Sequence, residues 1–125
     1  MTAPGVVLDA SAILAFLGDE LGSDIVEEHL LAGAACAAAN WSEVAQKSLA
    51  AGRDWSTASA LLLSYPLTIA AVTKEDAEWA ARRWRRGDGL SLGDRLCLAL
   101  SARLGVDAVT ADQAWGDDPP IRQIR

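Results

Sequence analysis

The sequence predicts an α/β fold in which a mainly parallel sheet is covered by helices. Short apolar runs of strand length alternate with longer runs of helical periodicity, and acidic residues follow several of these runs. The chain has 125 residues, of which 51% are hydrophobic and 22% are charged. This length and composition predict one globular domain over residues 1–125 that needs no disulfide to stabilise it.

The first half of the chain contains two predicted strands and four predicted helices. Val6 to Asp9 is an apolar run that ends at an acid, and Ser11 can cap the helix that follows. Gly52 suits the end of the third helix, and Pro66 stops the fourth. In chain order the elements are strand 6–9, helix 12–17, helix 23–31, strand 34–39, helix 41–51 and helix 54–64.

The second half contains three predicted strands and two predicted helices. An apolar, β-branched run precedes Thr73, which opens a helix with acids in its first turn. Gly105 closes the next helix, and Pro119-Pro120 precedes a final edge strand. In chain order the elements are strand 67–72, helix 73–86, helix 91–104, strand 106–110 and strand 121–125.

Four acids stand where a strand ends or a helix begins. Asp9 and Asp112 follow predicted strands, at the edge where an open α/β sheet binds its ligands. Glu43 and Asp94 each lie three residues after a capping residue, which predicts that both belong to a first helical turn. Their segments are Asn40-Trp41-Ser42-Glu43 and Ser91-Leu92-Gly93-Asp94. If the strands are parallel neighbours, all four carboxylates can converge on one cleft.

Such a cluster predicts a divalent cation. Two carboxylates about 5 Å apart repel by roughly 3 kcal/mol at an effective dielectric near 20, so four of them oppose folding unless protons or a cation relieve the repulsion. Oxygen ligands select hard ions such as Mg²⁺, with Mn²⁺ as a substitute, and no Cys or His lies beside these acids in the sequence.

Basic residues concentrate before and just inside the helix that carries Asp94. The net charge of −6 argues against a broad basic surface for nucleic acid. An acidic centre bordered by arginines nevertheless suits a phosphodiester substrate, with Arg85 and Arg95 as candidate phosphate contacts. The alternative is a solvated helix end whose arginines complement the helix dipole. Six of the eleven basic residues form this group: Lys74, Arg82, Arg83, Arg85, Arg86 and Arg95.

Neither a signal peptide nor a membrane span is expected. The N-terminus lacks the basic and apolar regions of a signal peptide, and the longest apolar stretch, residues 30–39, is about half the length of a span. The sequence therefore predicts a cytoplasmic protein without a membrane partner. Trp79 and Trp84 lie on a predicted helix, where packing in the core or a dimer is expected rather than stacking on bases.

The chain resembles the PIN-domain ribonucleases, in particular the VapC-type toxins of bacterial toxin–antitoxin pairs. Four segments carry the resemblance, in the family's order and across nearly the whole chain. They are Val7-Leu8-Asp9-Ala10-Ser11-Ala12, Ser42-Glu43-Val44, Leu90-Ser91-Leu92-Gly93-Asp94-Arg95-Leu96-Cys97-Leu98-Ala99-Leu100 and Val109-Thr110-Ala111-Asp112-Gln113-Ala114-Trp115.

The resemblance implies a site, a fold and partners. Asp9, Glu43, Asp94 and Asp112 correspond to the family's acidic quartet, and the hydroxyls of Ser11 and Thr110 accompany it. The implied fold is a three-layer α/β/α sandwich. The implied partners are an RNA substrate, a second copy of the chain in a homodimer, and a small VapB-like antitoxin whose tail occupies the cleft.

These observations lead to a hypothesis of metal-dependent RNA hydrolysis. Asp9 and Asp94 are expected to hold the principal Mg²⁺, and Asp112 to complete its ligand shell or help hold a second ion. Glu43 is expected to orient the attacking water. Because the metal activates the water and neutralises charge in the transition state, no histidine base is required.

Three alternatives belong to other classes of protein. A phosphorelay receiver domain has adjacent acids after its first strand, but here Ala10 follows Asp9. A haloacid-dehalogenase-like phosphatase has a second Asp two residues after the first, where this chain has Ser11. A non-catalytic interaction module, whose acids bind a partner's arginines, stays open from the sequence.

Overall fold

A computed structural model describes residues 3–125 and contains five strands. They lie in one sheet of order β3-β2-β1-β4-β5, in which every neighbouring pair is parallel. The predicted parallel sheet is therefore confirmed. The strands are β1 Val6–Leu8, β2 Ala34–Ala37, β3 Leu67–Ala70, β4 Asp107–Thr110 and β5 Ile121–Gln123.

Six α-helices connect these strands. They are α1 Ala10–Leu17, α2 Ser23–Ala32, α3 Ala38–Ala50, α4 Trp55–Leu63, α5 Lys74–Arg83 and α6 Leu92–Leu104, with a 3₁₀ turn at Gln113–Trp115. Among residues 3–125, none of the helices combines the length and the apolar character that a bilayer crossing requires.

The sheet separates two hydrophobic cores. Val6 and Leu8 of β1 point into a core that also contains side chains of α1 to α4, whereas Val7 points into a core on the other face with Cys97 and Leu98 of α6. Successive side chains of a strand point to opposite faces, so a short apolar strand such as β1 contributes to both cores. This arrangement confirms the three-layer α/β/α sandwich.

The strand order places a crevice beside β1. From β1 the chain proceeds to β2 and β3 on one side, while β4 and β5 pair on the other side. The connections therefore diverge between β1 and β4, and an open α/β sheet binds its ligands outside the carboxyl ends of strands at such a point. Asp9 directly follows β1, and Asp112 lies two residues after β4 ends.

Two helix starts differ from the sequence prediction. Helix α3 begins at Ala38, so the predicted start at 41 and the placement of Glu43 in a first turn are wrong. Ala38 and Ala39 favour a helix over the predicted strand, and Asn40 lies inside α3 rather than capping it. Helix α1 begins at Ala10 and is capped by Asp9 rather than by Ser11, because the Asp9 carboxylate accepts the Ala12 N–H.

Some ends are also shorter than predicted. Strand β3 stops at Ala70 instead of residue 72, and β5 stops at Gln123 instead of residue 125. Helix α5 stops at Arg83 instead of residue 86, because Trp84 adopts an extended conformation with φ −59° and ψ 134°. Residues 84–91 then form the connection that leads to α6.

Candidate active site

Asp9 is the buried acid at the point where the connections of the sheet diverge. It is 4% exposed although it carries a carboxylate. Its Oδ1 accepts hydrogen bonds from the Ser11 hydroxyl at 2.8 Å and from the Ala12 N–H at 2.8 Å. Its Oδ2 accepts from the Thr110 hydroxyl at 2.6 Å, and the Ser11 hydroxyl lies 2.9 Å from the same oxygen. Both carboxylate oxygens are thus held by β1, α1 and β4.

The hydroxyls of Ser11 and Thr110 join the ends of β1 and β4. Ser11 Oγ accepts the Ala111 N–H at 2.9 Å, and Thr110 Oγ1 accepts the Asp112 N–H at 3.0 Å. Each hydroxyl has a single proton, and each is placed to donate it to Asp9. The two residues therefore fix the position and orientation of the Asp9 carboxylate.

Burial raises the pKa of Asp9 from 3.8 to about 6. The loss of hydration is the largest cause, because a carboxylate loses more solvation on burial than a neutral carboxyl group does. The hydrogen bonds from Thr110, Ala12 and Ser11 oppose this rise in pKa, and the charge of Asp94 adds to it. Asp94 therefore lies near enough to Asp9 for the two charges to interact.

Asp94 occupies the first turn of α6, as predicted. Its Oδ2 accepts the Ser91 N–H at 2.9 Å, and the Ser91 hydroxyl accepts the Asp94 N–H at 3.1 Å. This capping box accounts for one oxygen of the carboxylate and stabilises the helix start. Asp94 is thus a capping acid and a candidate ligand at the same time.

Glu43 reaches the crevice from α3 and contacts α6. Its Oε1 accepts a hydrogen bond from Asn40 Nδ2 at 2.9 Å, and the same amide group donates to the Gly93 carbonyl at 3.1 Å. A Cβ atom at Gly93 would lie only 2.6 Å from Glu43 Oε1. The carboxylate therefore depends on the Asn40 amide for its position and on the missing side chain at Gly93 for its space.

Burial and the charges of the acids raise the pKa values of both cysteines. The pKa of the Cys97 thiol lies well above its ordinary value, first because the thiol is buried and then because of nearby charges that include Asp9, Asp94 and Glu43. The pKa of Cys36 rises to about 12 through burial and the charges of Asp9 and Glu43. Both cysteines are buried free thiols.

Asp112 belongs to the same edge but is used differently. Its backbone N–H binds Thr110, and its Oδ1 accepts the Ala114 N–H at 2.9 Å, so the side chain caps the 3₁₀ turn. Within residues 3–125, no three His, Cys, Asp or Glu side chains form a group that could hold a metal ion on their own. The acids therefore share an edge without forming a closed set of ligands.

This donor set fits a hard cation that keeps open coordination positions. Mg²⁺ typically binds through one or two carboxylates, retains several waters and accepts substrate phosphate oxygens. Asp9 and Asp94 provide two carboxylates, and the raised pKa of Asp9 means that a nearby positive charge would relieve its desolvation. The residues present thus fit Mg²⁺ or Mn²⁺ better than zinc, whose protein sites are built mainly from His nitrogen and Cys sulfur ligands.

The two predicted phosphate contacts differ in their surroundings. Arg95 is partly buried, and its Nη1 donates to the Ala80 carbonyl at 2.7 Å, which ties α6 to the last turn of α5. Arg85 is exposed, and its Nη1 donates to the carbonyls of Arg82 and Trp84, at 2.8 Å each. Arg95 thus joins α6 to α5 next to Asp94, whereas Arg85 stabilises the end of α5.

Sequence reasoning did not identify Asn40 or Gly93 as members of the site. Asn40 was expected to be a helix cap, yet it is 1% exposed and its Oδ1 is buried without a hydrogen-bond partner in the described chain. The signal for Asn40 is its spacing of three residues from Glu43, which aligns both on one face of a helix. The signal for Gly93 is its position directly before Asp94.

Comparisons with known proteins identify the family. No curated protein matches the sequence. A toxin–antitoxin complex from Klebsiella pneumoniae has a similar structure, with a TM-score of 0.74 and 17% identity over 96% of this chain and 98% of that chain. So does Mycobacterium tuberculosis VapC20, described as a sarcin–ricin loop cleaving toxin, with a TM-score of 0.66 and 16% identity over 92% of each chain. The PIN domain profile matches residues 6–117, so the chain belongs to the PIN domain family.

Proposed function

We propose that this chain is a metal-dependent endoribonuclease and the toxin of a bacterial toxin–antitoxin pair. The observation that carries the proposal is the desolvated Asp9 carboxylate, fixed by Ser11 and Thr110 where the sheet diverges and influenced by the charge of Asp94. Family membership supports nuclease chemistry at this position. The similarity to a toxin–antitoxin complex and to VapC20 supports the toxin role.

Phosphodiester hydrolysis needs positive charge at the scissile phosphate and an activated water. Asp9 and Asp94 would hold Mg²⁺ or Mn²⁺, which supplies charge stabilisation and lowers the pKa of a water. Ser11 and Thr110 keep the Asp9 carboxylate oriented, and the Ser91 N–H holds one oxygen of Asp94. The ligands are thus arranged before the substrate arrives.

Glu43 is proposed to orient the attacking water. The Asn40 amide binds its Oε1, which leaves Oε2 to accept a hydrogen bond from the water. Asp112 is proposed to complete the ligand shell of the cation or to help hold a second ion. Its side chain must then leave the Ala114 N–H or bind through its second oxygen.

The decisive test is cleavage of a single-stranded or looped RNA, followed by end-group analysis. Attack by water predicts a 5′-phosphate and a 3′-hydroxyl, activity with Mg²⁺ and none with a chelator. Asp9→Asn should be inactive but folded. Cyclic phosphate ends, or cutting in the presence of the chelator, would contradict the mechanism. Full activity of Asp9→Asn would contradict the site.

The proposed partner is a small VapB-like antitoxin, and the proposed assembly is a homodimer acting in the cytoplasm. An edge with several acids attracts a cationic side chain, so an Arg or Lys near the partner's C-terminus is expected to occupy it. Charge reversal of that basic residue should weaken inhibition in a nuclease titration. Undiminished inhibition would mean that the partner acts elsewhere.

The non-catalytic alternative makes a different prediction for the same variants. If the acids only bind a partner's basic residues, purified protein should not cleave RNA under any cation condition. Asp9→Asn would then weaken partner binding without changing any enzymatic activity. The cleavage assay therefore separates the two functions directly.

A further inference from the structure

The tryptophan that ends α5 is exposed. Trp84 is 50% exposed in the single chain, so of the two expected kinds of packing, in the core or in a dimer, packing in the core is wrong. Trp79 on the same helix is partly buried and packs against the core that contains Leu98 and Trp115. A single exposed apolar side chain is common on protein surfaces, so the residues around Trp84 decide whether its exposure has a function.

Arginines organise the surroundings of this ring. The guanidinium carbon of Arg86 lies over the Trp84 ring, 5.7 Å from its centroid. Arg85 donates from Nη1 to the carbonyls of Arg82 and Trp84, which fixes the turn where α5 ends. The ring is thus held on one side by a cation–π contact while half of its surface faces solvent.

The same residues carry uncompensated positive charge. In the part of the chain that the structure describes, Arg83 pairs with Asp88 at 3.0 Å, but no acid lies within ion-pair distance of Arg82, Arg85 or Arg86. This concentration contrasts with the net charge of −6 for the whole chain. We call Arg82, Trp84, Arg85 and Arg86 the Arg–Trp strip.

The last turn of α5, next to the strip, contacts the start of α6. Arg95, the residue after Asp94, donates to the carbonyl of Ala80 in the last turn of α5. The end of α5 is therefore packed against the start of α6, which carries Asp94. The chain from Trp84 then leads within a few residues to the Ser91 cap of α6.

We propose that the Arg–Trp strip binds an unpaired RNA segment next to the cleaved bond, with a base stacked on Trp84 and phosphates held by the arginines. An exposed aromatic ring among unpaired cations is the combination that single-stranded nucleic acid recognises. A duplex would not offer a free base face to the ring. This inference rests on the proposed ribonuclease function and adds to it a binding subsite for the unpaired RNA.

The test measures binding of a short single-stranded RNA to the Asp9→Asn protein, in which cleavage is disabled. In that background, Trp84→Ala should weaken binding about tenfold, because loss of one base–aromatic stack is typically of that size. Trp84→Phe should retain most of the affinity. Leu104→Ala, at an exposed apolar residue at the opposite end of α6, is the matched control and should change nothing.

A second RNA carrying abasic sites makes the test specific for stacking. The abasic RNA should bind the Asp9→Asn protein about tenfold more weakly, and adding Trp84→Ala should cause no further loss. Arg86→Gln should reduce the dependence of binding on salt, whereas Arg122→Gln, whose guanidinium pairs with Asp107, should leave it unchanged.

Several outcomes would overturn the strip. Equal affinities of Trp84→Ala and its parent would do so, as would equal sensitivity of both proteins to abasic RNA. A change in oligomeric state with unchanged RNA affinity would assign Trp84 to contact between two copies of the chain. If the natural protein cleaves RNA and Trp84→Ala does so with the same KM, the RNA-binding role of the strip is rejected and the ribonuclease function stands. If RNA binding depends on stacking but the natural protein does not cleave RNA, the ribonuclease function is rejected and the RNA-binding role of the strip stands.

Discussion

The candidate site has two halves, one on the strand ends and one on the helices, and they hold their carboxylates in different ways. In the strand half, Asp9, Ser11 and Thr110 lie at the ends of β1 and β4, and the carboxylate receives several hydrogen bonds while nearly excluded from water. In the helix half, Glu43 is positioned across α3 and α6 by the single amide of Asn40. The Asp9 carboxylate is therefore desolvated and held by several hydrogen bonds, whereas the Glu43 carboxylate depends on one side-chain contact.

The two halves differ in what determines the state of their carboxylates before a cation or substrate binds. The strand half carries an electrostatic cost, since the pKa of Asp9 rises to about 6 mainly through burial. That cost is relieved when a cation binds, so it favours binding over the empty state. In the helix half, the position of the Glu43 carboxylate depends on the space beside Gly93.

The largest expected effect comes from removing the charge in the strand half. Asp9→Asn should lower the rate of RNA cleavage by at least about two orders of magnitude. The metal-free variant should be no less stable than the natural chain at pH 7.5, because a desolvated charge is gone. Single-turnover kinetics and urea unfolding measure the two effects. Strong destabilisation of the variant would show that the charge stabilises the fold.

The second prediction concerns the pH dependence of metal-free stability. Asp9 has a pKa of 3.8 in the unfolded chain and about 6 when folded, so the folded state binds the proton more tightly. Its contribution is fully present below pH 3.8 and is lost as the pH rises through about 6. Relative to Asp9→Asn, the natural chain should lose about 2 kcal/mol of unfolding free energy between pH 4.5 and 7.5.

Urea unfolding of both proteins without divalent cations measures this difference, because groups other than Asp9 cancel in the comparison. A difference between the two proteins that stays constant over this pH range would show that Asp9 is not desolvated. If the unfolding free energy of the natural chain increases with pH relative to that of Asp9→Asn, a positive group stabilises the carboxylate.

A smaller effect is expected from filling the space in the helix half. Gly93→Ala places a Cβ 2.6 Å from Glu43 Oε1 and should displace that carboxylate. Cleavage should slow about tenfold, since misplaced groups lose much of their effect. Stability should change by less than about 1 kcal/mol, because the end of a flexible side chain can move and alanine favours a helix.

Gly5→Ala is the matched control for that change. A Cβ at Gly5 makes only an ordinary 3.7 Å contact with the Gly33 carbonyl, away from the acids. Its cleavage rate should equal that of the natural chain. An unaffected rate in Gly93→Ala would show that the position of Glu43 is not critical for the reaction.

The sequence predicts the strand half better than the helix half for a physical reason. Asp9 directly follows β1 and Thr110 ends β4, so strand prediction and parallel pairing suffice to bring them together. The contact between Asn40 and Gly93 spans 53 positions and depends on how α3 packs on α6. No local pattern contains that information.

Two further differences between the prediction and the structure also depend on information that local patterns do not contain. The start of α3 was misplaced because residues 34–39 are mostly alanine, whose strand and helix tendencies are decided by sheet pairing that ends at Ala37. The exposure of Trp84 follows from the end of α5 at Arg83. Helical periodicity extends α5 to residue 86 and therefore predicts that the Trp84 ring packs in the core or a dimer.

The central claim is that Asp9 and Asp94 hold a hard cation, and thermal unfolding with Mg²⁺ tests it most directly. Binding to the folded state alone should stabilise the natural chain by about 2.7 kcal/mol at a hundred times Kd, and Mn²⁺ should act similarly. The melting temperature should rise with Mg²⁺ in the natural chain and not in Asp94→Asn. An equal rise in both proteins, or none in either, would contradict the claim.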